Sequence, residues 1–301
     1  MKSAEKSAAL APVRQKRLAA LPSPMFTRLE GRTFLLFQEL INREAGIWLG
    51  GHKKALLIGR LAKRLRDLEL ESFESYYRMV KNSREERTIM LDLITTNETY
   101  FFREPQQFKF LEETVAPEWK QEADAGRRPR TLNVWSAGCS SGEEPCSIAM
   151  LLLDTLPPEA GWNVRLTGTD ISTRMLNKAE AGLWPIERAK NIPVHMLKRY
   201  MLKGVSGQAQ WMRAKPELRR MLHFAHVNLK EAEYGLGNNF DLIFCRNVLI
   251  YFDPATKAQV VRRLFEHLSP GGWLFLSPAE SAATRAGLGN SVFPGVYAKP
   301  L

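Results

Sequence analysis

The sequence predicts a small helical domain followed by a larger α/β domain built on a mainly parallel sheet. Up to about residue 97, apolar residues recur three and four positions apart, as at Phe34, Phe37, Leu40 and Ile41, which is the spacing of amphipathic helices. After Pro105 the pattern changes to short apolar strands that alternate with helical stretches. This alternation is typical of a parallel sheet with helices on both faces.

The first residues differ in composition from the rest of the chain. Residues 1–24 are rich in Ala, Lys, Arg, Ser and Pro and hold no aromatic side chain. Such a segment offers too little apolar surface to fold on its own. We therefore expect a basic, disordered tail at 1–25, a helical domain at 26–97 and the α/β domain at 98–301.

Residues 52–73 of the helical domain predict a strongly basic amphipathic helix. Its leucines share one stripe and its basic residues fall on the opposite and flanking faces: Leu57, Leu61, Leu65 and Leu68 against Lys53, Arg60, Lys63 and Arg66. The basic side is either a solvated face or a surface that binds an acidic partner.

The net charge is concentrated in the same third of the chain. The whole sequence carries a formal charge of +11, and residues 1–90 hold 18 Lys and Arg against 10 Asp and Glu. A basic surface suits nucleic acid, an anionic membrane or an acidic protein, and charge alone does not choose among them.

Composition excludes several classes of protein. No apolar run approaches the eighteen residues of a membrane span, and the N-terminus is too charged for a signal peptide, so we expect a soluble, cytoplasmic protein. Cys139, Cys146 and Cys245 lack CxxC spacing and clustered histidines, which argues against disulfides and a zinc site. We expect three small buried side chains and no metal.

In the α/β domain, four segments predict strands that run into loops: 130–138, 164–170, 240–252 and 271–280. Helical stretches at 147–156, 174–182 and 255–268 lie between them. Residues 184–226 break the alternation, with a helical piece followed by possible paired strands at 210–215 and 220–227, and predict a small inserted subdomain. In sheets of this kind, ligands bind beyond the carboxyl ends of the strands.

Two strand ends point to an adenosine-type ligand. Gly138 and Gly142 follow the first strand without forming GxGxxG or a P-loop, and Asp170 ends the second strand, where an acid can accept both ribose hydroxyls. The alternative for Asp170 is a helix N-cap, and for Glu143 and Glu144 it is favourable placement in the first turn of a helix. Since phosphate-binding motifs are missing, S-adenosylmethionine is favoured over NAD or ATP.

Two later strand ends carry polar residues within apolar surroundings. Asn228 follows the inserted region, and Arg246 and Asn247 lie in FCRNVLIYF, where buried polar groups need backbone or ligand partners. A structural role for the asparagines remains the alternative. No NPPY-like motif follows this strand, which argues against N-methylation of a base or amide.

Taken together, these motifs closely resemble the CheR-type chemotaxis receptor methyltransferase family. The resemblance spans residues 28–300 and is carried, in order, by TTNETYFFRE, VWSAGCSSGEEPCSIA, GTDIS, VNL, FDLIFCRNVLIYFD and PGGWLF. It implies a class I, Rossmann-like S-adenosylmethionine-dependent methyltransferase domain with a small inserted β-subdomain, preceded by a small all-α domain. It also implies methylation of glutamate side chains on cytoplasmic helices of chemoreceptors, which releases S-adenosylhomocysteine in sensory adaptation.

The resemblance further implies roles for individual residues. Cofactor contacts would be made by Asn97, Thr99, Arg103, Glu144, Asp170, Asn228, Leu229, Arg246 and Asn247. Asp170 would hold the ribose, Glu144 and the 97–103 segment the methionine end, and Asn228 and Leu229 the adenine. Arg103 and Tyr251 would face the incoming glutamate as the catalytic pair. From the aromatic run itself, we expect Phe101 and Phe102 to pack at the junction between the two domains. The acidic faces of the receptor helices would be bound by Arg60, Lys63 and Arg66.

Two other functions stay open at this level. The chain could be a scaffold or sensor that binds cofactor or receptor without turnover, or a nucleic-acid methyltransferase suggested by the basic N-terminal third. Intact Arg103, Asp170 and Tyr251 argue against the first, and the absence of a base-recognition motif argues against the second. We expect a monomer that binds no nucleic acid and meets the membrane only through its receptors.

Overall fold

The computed structural model describes residues 28–281 and 291–301. The predicted basic tail at 1–25 lies outside these residues. In the described part of the chain, four helices form an N-terminal domain, and a six-stranded sheet flanked by helices forms the rest. The predicted fold class, an all-α domain followed by an α/β domain, is confirmed.

The N-terminal domain packs four helices around one apolar core. They are α1 (Gly31–Ala45), α2 (Lys54–Asp67), α3 (Phe73–Asn82) and α4 (Arg84–Ile94). The predicted helical spacing is confirmed, since Phe37, Ile41, Leu57 and Leu61 are fully buried. Ser83 separates α3 from α4 and accepts the backbone N–H of Glu86 at 3.1 Å, as an N-cap serine does at the start of a helix.

A buried ion pair ties three of these helices together. The carboxylate of Glu86 accepts two hydrogen bonds from Arg64, at 2.8 and 2.6 Å, and one from the Tyr76 hydroxyl at 2.9 Å. The Arg64 hydrogen bonds lower the pKa of Glu86 against the opposing effect of burial, and the Tyr76 bond lowers it further. The charged form of Glu86 is therefore part of the helical core.

The larger domain is built on a sheet with strand order β6-β2-β1-β7-β8-β9, in which only β9 is antiparallel to its neighbour. The strands are β1 (Thr131–Ala137), β2 (Asn163–Asp170), β6 (Leu222–His226), β7 (Phe240–Cys245), β8 (Leu268–Leu276) and β9 (Val296–Ala298). The helices are α5 (Pro105–Phe110), α6 (Ala116–Asp124), α7 (Glu143–Thr155), α8 (Thr173–Ala181), α9 (Val194–Tyr200), α10 (Pro216–Met221), α11 (Pro254–His267) and α12 (Pro278–Ser281). All four strands expected from the sequence are present.

Alternate residues of the strands enter two separate apolar cores, one on each face of the sheet. Val134 and Phe244 belong to one core, and their neighbours Trp135 and Ile243 to the other. This is the two-sided burial expected of a mainly parallel sheet. The three cysteines are free and buried, as predicted.

The inserted region forms a second, antiparallel sheet with order β3-β5-β4. Its strands are β3 (Leu183–Pro185), β4 (Met201–Lys203) and β5 (Trp211–Ala214). The predicted pairing of 210–215 with 220–227 is wrong. The α10 helix, which begins at Pro216, carries the chain from β5 to the edge of the main sheet, where β6 pairs in parallel with β2. The residues of the predicted insertion at 184–226 therefore include one strand of the main sheet.

The aromatic pair in TTNETYFFREP packs within the larger domain and not between the two domains. The Phe101 ring meets Trp184 edge to face at 5.1 Å between centroids, and the Phe102 ring lies 5.1 Å from Phe108. Both side chains belong to one core of the α/β domain. The expectation of an interdomain position was wrong, because Phe101 packs against Trp184 of the inserted subdomain and Phe102 packs against Phe108 of α5.

No helix within residues 28–281 or 291–301 combines the length and apolar character needed to cross a membrane.

We expect Glu86→Gln to lower the free energy of unfolding by about 2–3 kcal/mol, because the half-buried guanidinium of Arg64 and the buried hydroxyl of Tyr76 lose their anionic partner. Urea denaturation followed by circular dichroism measures this change. The difference from wild type should be full above the ordinary glutamate pKa and should disappear as pH falls through the lowered pKa of Glu86.

The matched control is Glu74→Gln, since Glu74 pairs with Arg78 at 3.0 Å and both side chains are exposed. That exposed pair should contribute less than about 0.5 kcal/mol. Equal losses for the two variants would contradict a special role for the buried pair.

Candidate active site between the two domains

A cavity of about 400 Å³ lies where the helical domain meets the carboxyl edge of the main sheet. Its walls come from the loop after α1, the linker after α4, and the loops after β1, β2, β6 and β7. All ten residues predicted to contact cofactor or the incoming carboxylate line it: Asn97, Thr99, Arg103, Glu144, Asp170, Asn228, Leu229, Arg246, Asn247 and Tyr251. The rule that ligands bind beyond the carboxyl ends of parallel strands therefore located the cavity.

The turn after β1 fixes Asp170 at the cavity wall. The carboxylate accepts the N–H of Ser140 and the N–H of Ser172, each at 2.8 Å. Gly138 makes this turn possible, because its φ is +78° and an added Cβ would lie 2.3 Å from Val248 Cγ2. The alternative that Asp170 caps α8 is wrong, since Ser172 is the N-cap residue.

Asp170 retains lone pairs for further hydrogen bonds, because a carboxylate can accept about four. Burial raises the pKa of Asp170, and the two N–H groups from Ser172 and Ser140 oppose that effect. A fixed, largely buried carboxylate of this kind can accept hydrogen bonds from the two hydroxyls of a ribose.

The two acids at the start of α7 have different surroundings. Glu143 is buried and accepts the Ser141 hydroxyl at 2.7 Å. Glu144 lines the cavity, accepts the Ser136 hydroxyl at 2.7 Å, and has a pKa raised by burial against the effect of Arg246. Glu144 is therefore the acid that can meet a ligand.

Arg246 is a buried cation held between two acids. Its Nε lies 3.4 Å from Glu104 Oε2 and its Nη1 lies 3.5 Å from Glu144 Oε2, while Nη2 donates to the carbonyl of Arg103. The guanidinium also lies over the rings of Phe108 and Phe244, at 5.4 and 5.6 Å. In the described part of the chain, Nη1 has no hydrogen-bond partner. Nη1 therefore interacts with Glu144 as an ion pair and not through a hydrogen bond.

Glu104 and Glu280, which were not among the predicted site residues, hold the loop after β7 in place by hydrogen bonds. Glu104 accepts the side-chain amide of Asn247 at 3.2 Å and the Ser277 hydroxyl at 3.0 Å. The buried Glu280 accepts three backbone N–H groups at 3.0–3.2 Å, from Asn247, Ile250 and Ser277. Glu280 follows β8 at the same carboxyl edge, so the strand-end rule could have found it.

The linker after α4 holds the two predicted substrate-facing groups. Arg103 Nη1 donates to the carbonyl of Glu98 at 2.7 Å, and its guanidinium lies 5.6 Å from the centre of the Tyr100 ring. The Tyr251 hydroxyl donates to the carbonyl of Thr96 at 3.3 Å. Both groups are therefore oriented by backbone carbonyls of one short segment.

Asn228 joins the cavity to the helical domain. Its side-chain amide donates to the carbonyl of Glu44 at 2.7 Å and its Oδ1 accepts the N–H of Lys230 at 3.1 Å. The Lys230 ammonium donates to the carbonyl of Asn42 at 2.9 Å. These bonds satisfy the last carbonyls of α1 and leave Asn228 one donor and one acceptor for a ligand.

The predicted receptor-gripping residues lie on α2, outside the cavity lining. Arg60 donates to the carbonyls of Leu93 and Thr95, at 3.3 and 3.0 Å, and so stabilises the end of α4. Lys63 forms an exposed ion pair with Asp67 at 3.6 Å, and Arg66 is exposed. Lys63 and Arg66 are the two that face solvent.

The lining residues fit S-adenosylmethionine by their chemistry. Asp170 offers ribose acceptors, and Glu144 offers a negative charge to an amine or sulfonium. Gly138 lets the backbone of the turn after β1 pack closely against Val248.

We expect Asp170→Asn to weaken binding of S-adenosylhomocysteine about tenfold to a hundredfold, because hydrogen bonds to a charged acceptor are lost. In the wild type, affinity should fall as pH falls through the raised pKa of Asp170, and this part of the decline should be absent from the variant. Isothermal titration calorimetry measures both effects. Asp124→Asn, in an exposed pair with Arg130, should bind like wild type, and an equal loss there would contradict the assignment.

Several chemotaxis protein methyltransferases are similar to this chain over most of its length. Chemotaxis protein methyltransferase 2 of Pseudomonas aeruginosa is 36% identical over 288 residues, which are 92% of this chain and 97% of the relative. The chemotaxis protein methyltransferase of Escherichia coli is 38% identical, covering 82% of this chain and 84% of the relative. That of Borreliella burgdorferi is 31% identical, covering 87% and 92%.

Family models match both domains. The CheR methyltransferase all-alpha domain matches residues 32–95, and the CheR methyltransferase SAM binding domain matches residues 97–290. The two matches meet at the linker that forms one wall of the cavity. The chain belongs to the CheR methyltransferase family.

Proposed function

We propose that this protein transfers the methyl group of S-adenosylmethionine to glutamate side chains on the cytoplasmic helices of chemoreceptors. The observation that carries the proposal is the cavity between the domains, which unites a complete set of predicted cofactor residues with Arg103 and Tyr251. The relatives are chemotaxis protein methyltransferases by name, which supports the pathway. The scaffold and nucleic-acid hypotheses are not favoured.

The chemistry of a carboxylate acceptor matches the residues that line the cavity. A glutamate with a pKa of about 4.3 is already an anion at neutral pH and needs no general base. Among the described lining residues there is no histidine or cysteine. When bound, S-adenosylmethionine supplies the methyl group: a carboxylate lone pair forms the O–C bond, the C–S electron pair stays on sulfur, and no proton moves.

The contribution of the protein is therefore orientation. Bringing reacting atoms to about 3–3.5 Å in line can contribute about 7–11 kcal/mol. Because nucleophile and sulfonium neutralise each other in the reaction, a strong cation on the carboxylate would favour the ground state. Arg103 is already engaged by Glu98 and Tyr251 by Thr96, which suits groups that position the glutamate without holding it tightly.

We propose that the basic face of α2 is the surface that binds acidic receptor helices. Lys63 and Arg66 carry this role, and Arg60 supports them by fixing the end of α4. Exposed charges contribute mainly to encounter and are screened by salt. The protein would meet the membrane through its receptors and act as a cytoplasmic monomer.

We expect wild-type protein to transfer labelled methyl from S-adenosylmethionine to receptor-rich membranes as base-labile esters. Joint reversal of Lys63 and Arg66 to Glu should lower kcat/KM about tenfold at low salt, less at high salt, and leave S-adenosylhomocysteine affinity unchanged. Reversal of Lys109 and Lys120 is the matched control, since Lys109 forms a similar exposed pair with Glu113. Stable label in RNA or DNA, or no label, would contradict the proposal.

We expect Tyr251→Phe to lower kcat/KM for receptors about tenfold, because the hydroxyl that is fixed by Thr96 no longer orients the glutamate. Binding of S-adenosylhomocysteine, measured by calorimetry, should not change. A full single-turnover rate at saturating receptor would exclude a direct catalytic contact of this hydroxyl.

A further inference from the structure

Three large apolar side chains stand exposed at the mouth of the cavity. Trp48 is 56% exposed, Ile250 54% and Tyr100 37%, and all three line the cavity. They come from three separate segments: the loop after α1, the loop after β7, and the linker after α4. Exposed apolar side chains that converge on one opening are characteristic of a binding surface.

The same contacts that build the reaction site hold these side chains in place. The N–H of Trp48 donates to the carbonyl of Tyr251 at 2.8 Å, and the N–H of Ile250 donates to Glu280 at 3.1 Å. The Tyr100 ring lies against the Arg103 guanidinium. The three side chains are therefore positioned relative to the groups that would orient the glutamate.

We propose that Trp48, Tyr100 and Ile250 form an apolar collar that packs against the substrate helix within one turn of the target glutamate and selects which glutamates are methylated. This inference rests on the proposed function. A glutamate side chain that enters the cavity leaves its own helix lying across the mouth. Residues three and four positions away lie on the same face of that helix, roughly 5–6 Å from the target, and meet the collar.

The collar favours small or apolar residues at those positions and disfavours charged ones. Burying a charge against apolar side chains without a partner is unfavourable, so a neighbouring Lys or Glu would reduce methylation. The basic face of α2 attracts acidic helices at longer range, and the collar discriminates among glutamates after contact. Charge on α2 therefore promotes the first encounter with a receptor helix, and packing against the collar determines which glutamate is methylated.

The size of the collar argues for a substrate helix and against a second copy of the chain. Half-exposed aromatic and aliphatic side chains of this kind offer together roughly 300 Å², whereas a stable protein interface needs about 800 Å² from each partner. A transient substrate that also inserts one side chain needs no larger surface.

The test measures receptor methylation by Trp48→Gln and Ile250→Gln, with KM, kcat and the Kd for S-adenosylhomocysteine determined separately. We expect KM for receptor-rich membranes to rise about tenfold or more for Trp48→Gln, with kcat and Kd within about twofold of wild type. Trp48→Phe should restore KM to within about threefold. Leu35→Gln is the matched control, because Leu35 is 60% exposed on α1 and does not line the cavity.

Two results would overturn the collar. The first is a KM within about twofold of wild type for both glutamine variants, and the second is a parallel loss of S-adenosylhomocysteine affinity, which would place these side chains against the cofactor instead. A wild-type chain that forms no base-labile ester defeats the proposed function itself. The collar alone fails when wild type methylates receptors and either of these two results is obtained.

Discussion

The buried guanidinium of Arg246 is the constraint on which the site depends. It lies at the end of β7 and joins Glu104, at the start of α5, to Glu144, in the first turn of α7. A buried charge deprived of its partner costs about 3–5 kcal/mol, so the three segments are held together whenever the charge is paired. The wall of the cavity that Arg246 lines therefore depends on the same ion pairs that join these segments.

Around this centre, backbone groups do much of the positioning. Asp170 is fixed by two N–H groups, Glu280 fixes three, and Arg103 and Tyr251 are oriented by carbonyls of the linker. Backbone groups of this kind are already in place before a substrate arrives and need no reorganisation. A reaction that requires alignment and no proton transfer gains most from such rigidity.

Local patterns predicted the strands and the residues that follow them, because apolar periodicity and strand-end position are local properties. The strand-end rule found Asp170, Arg246 and Asn247 in this way. The pairing of β6 with β2 depends on how α10 redirects the chain, and the bond from Arg60 to α4 depends on helix packing. Long-range geometry of this kind has no local signal.

The contact between the domains also limits how freely the helical domain could be exchanged for that of another family member. The helical domain contributes Ala45, Leu49 and Ile94 to the cavity wall, and its α1 carbonyls are satisfied by Asn228 and Lys230 of the other domain. An exchange of helical domains between family members would therefore replace part of the cavity wall along with the basic face of α2. A functional chimera would have to transfer the loop after α1 together with the side chains that meet it, so substrate preference and cofactor affinity are expected to diverge together during evolution.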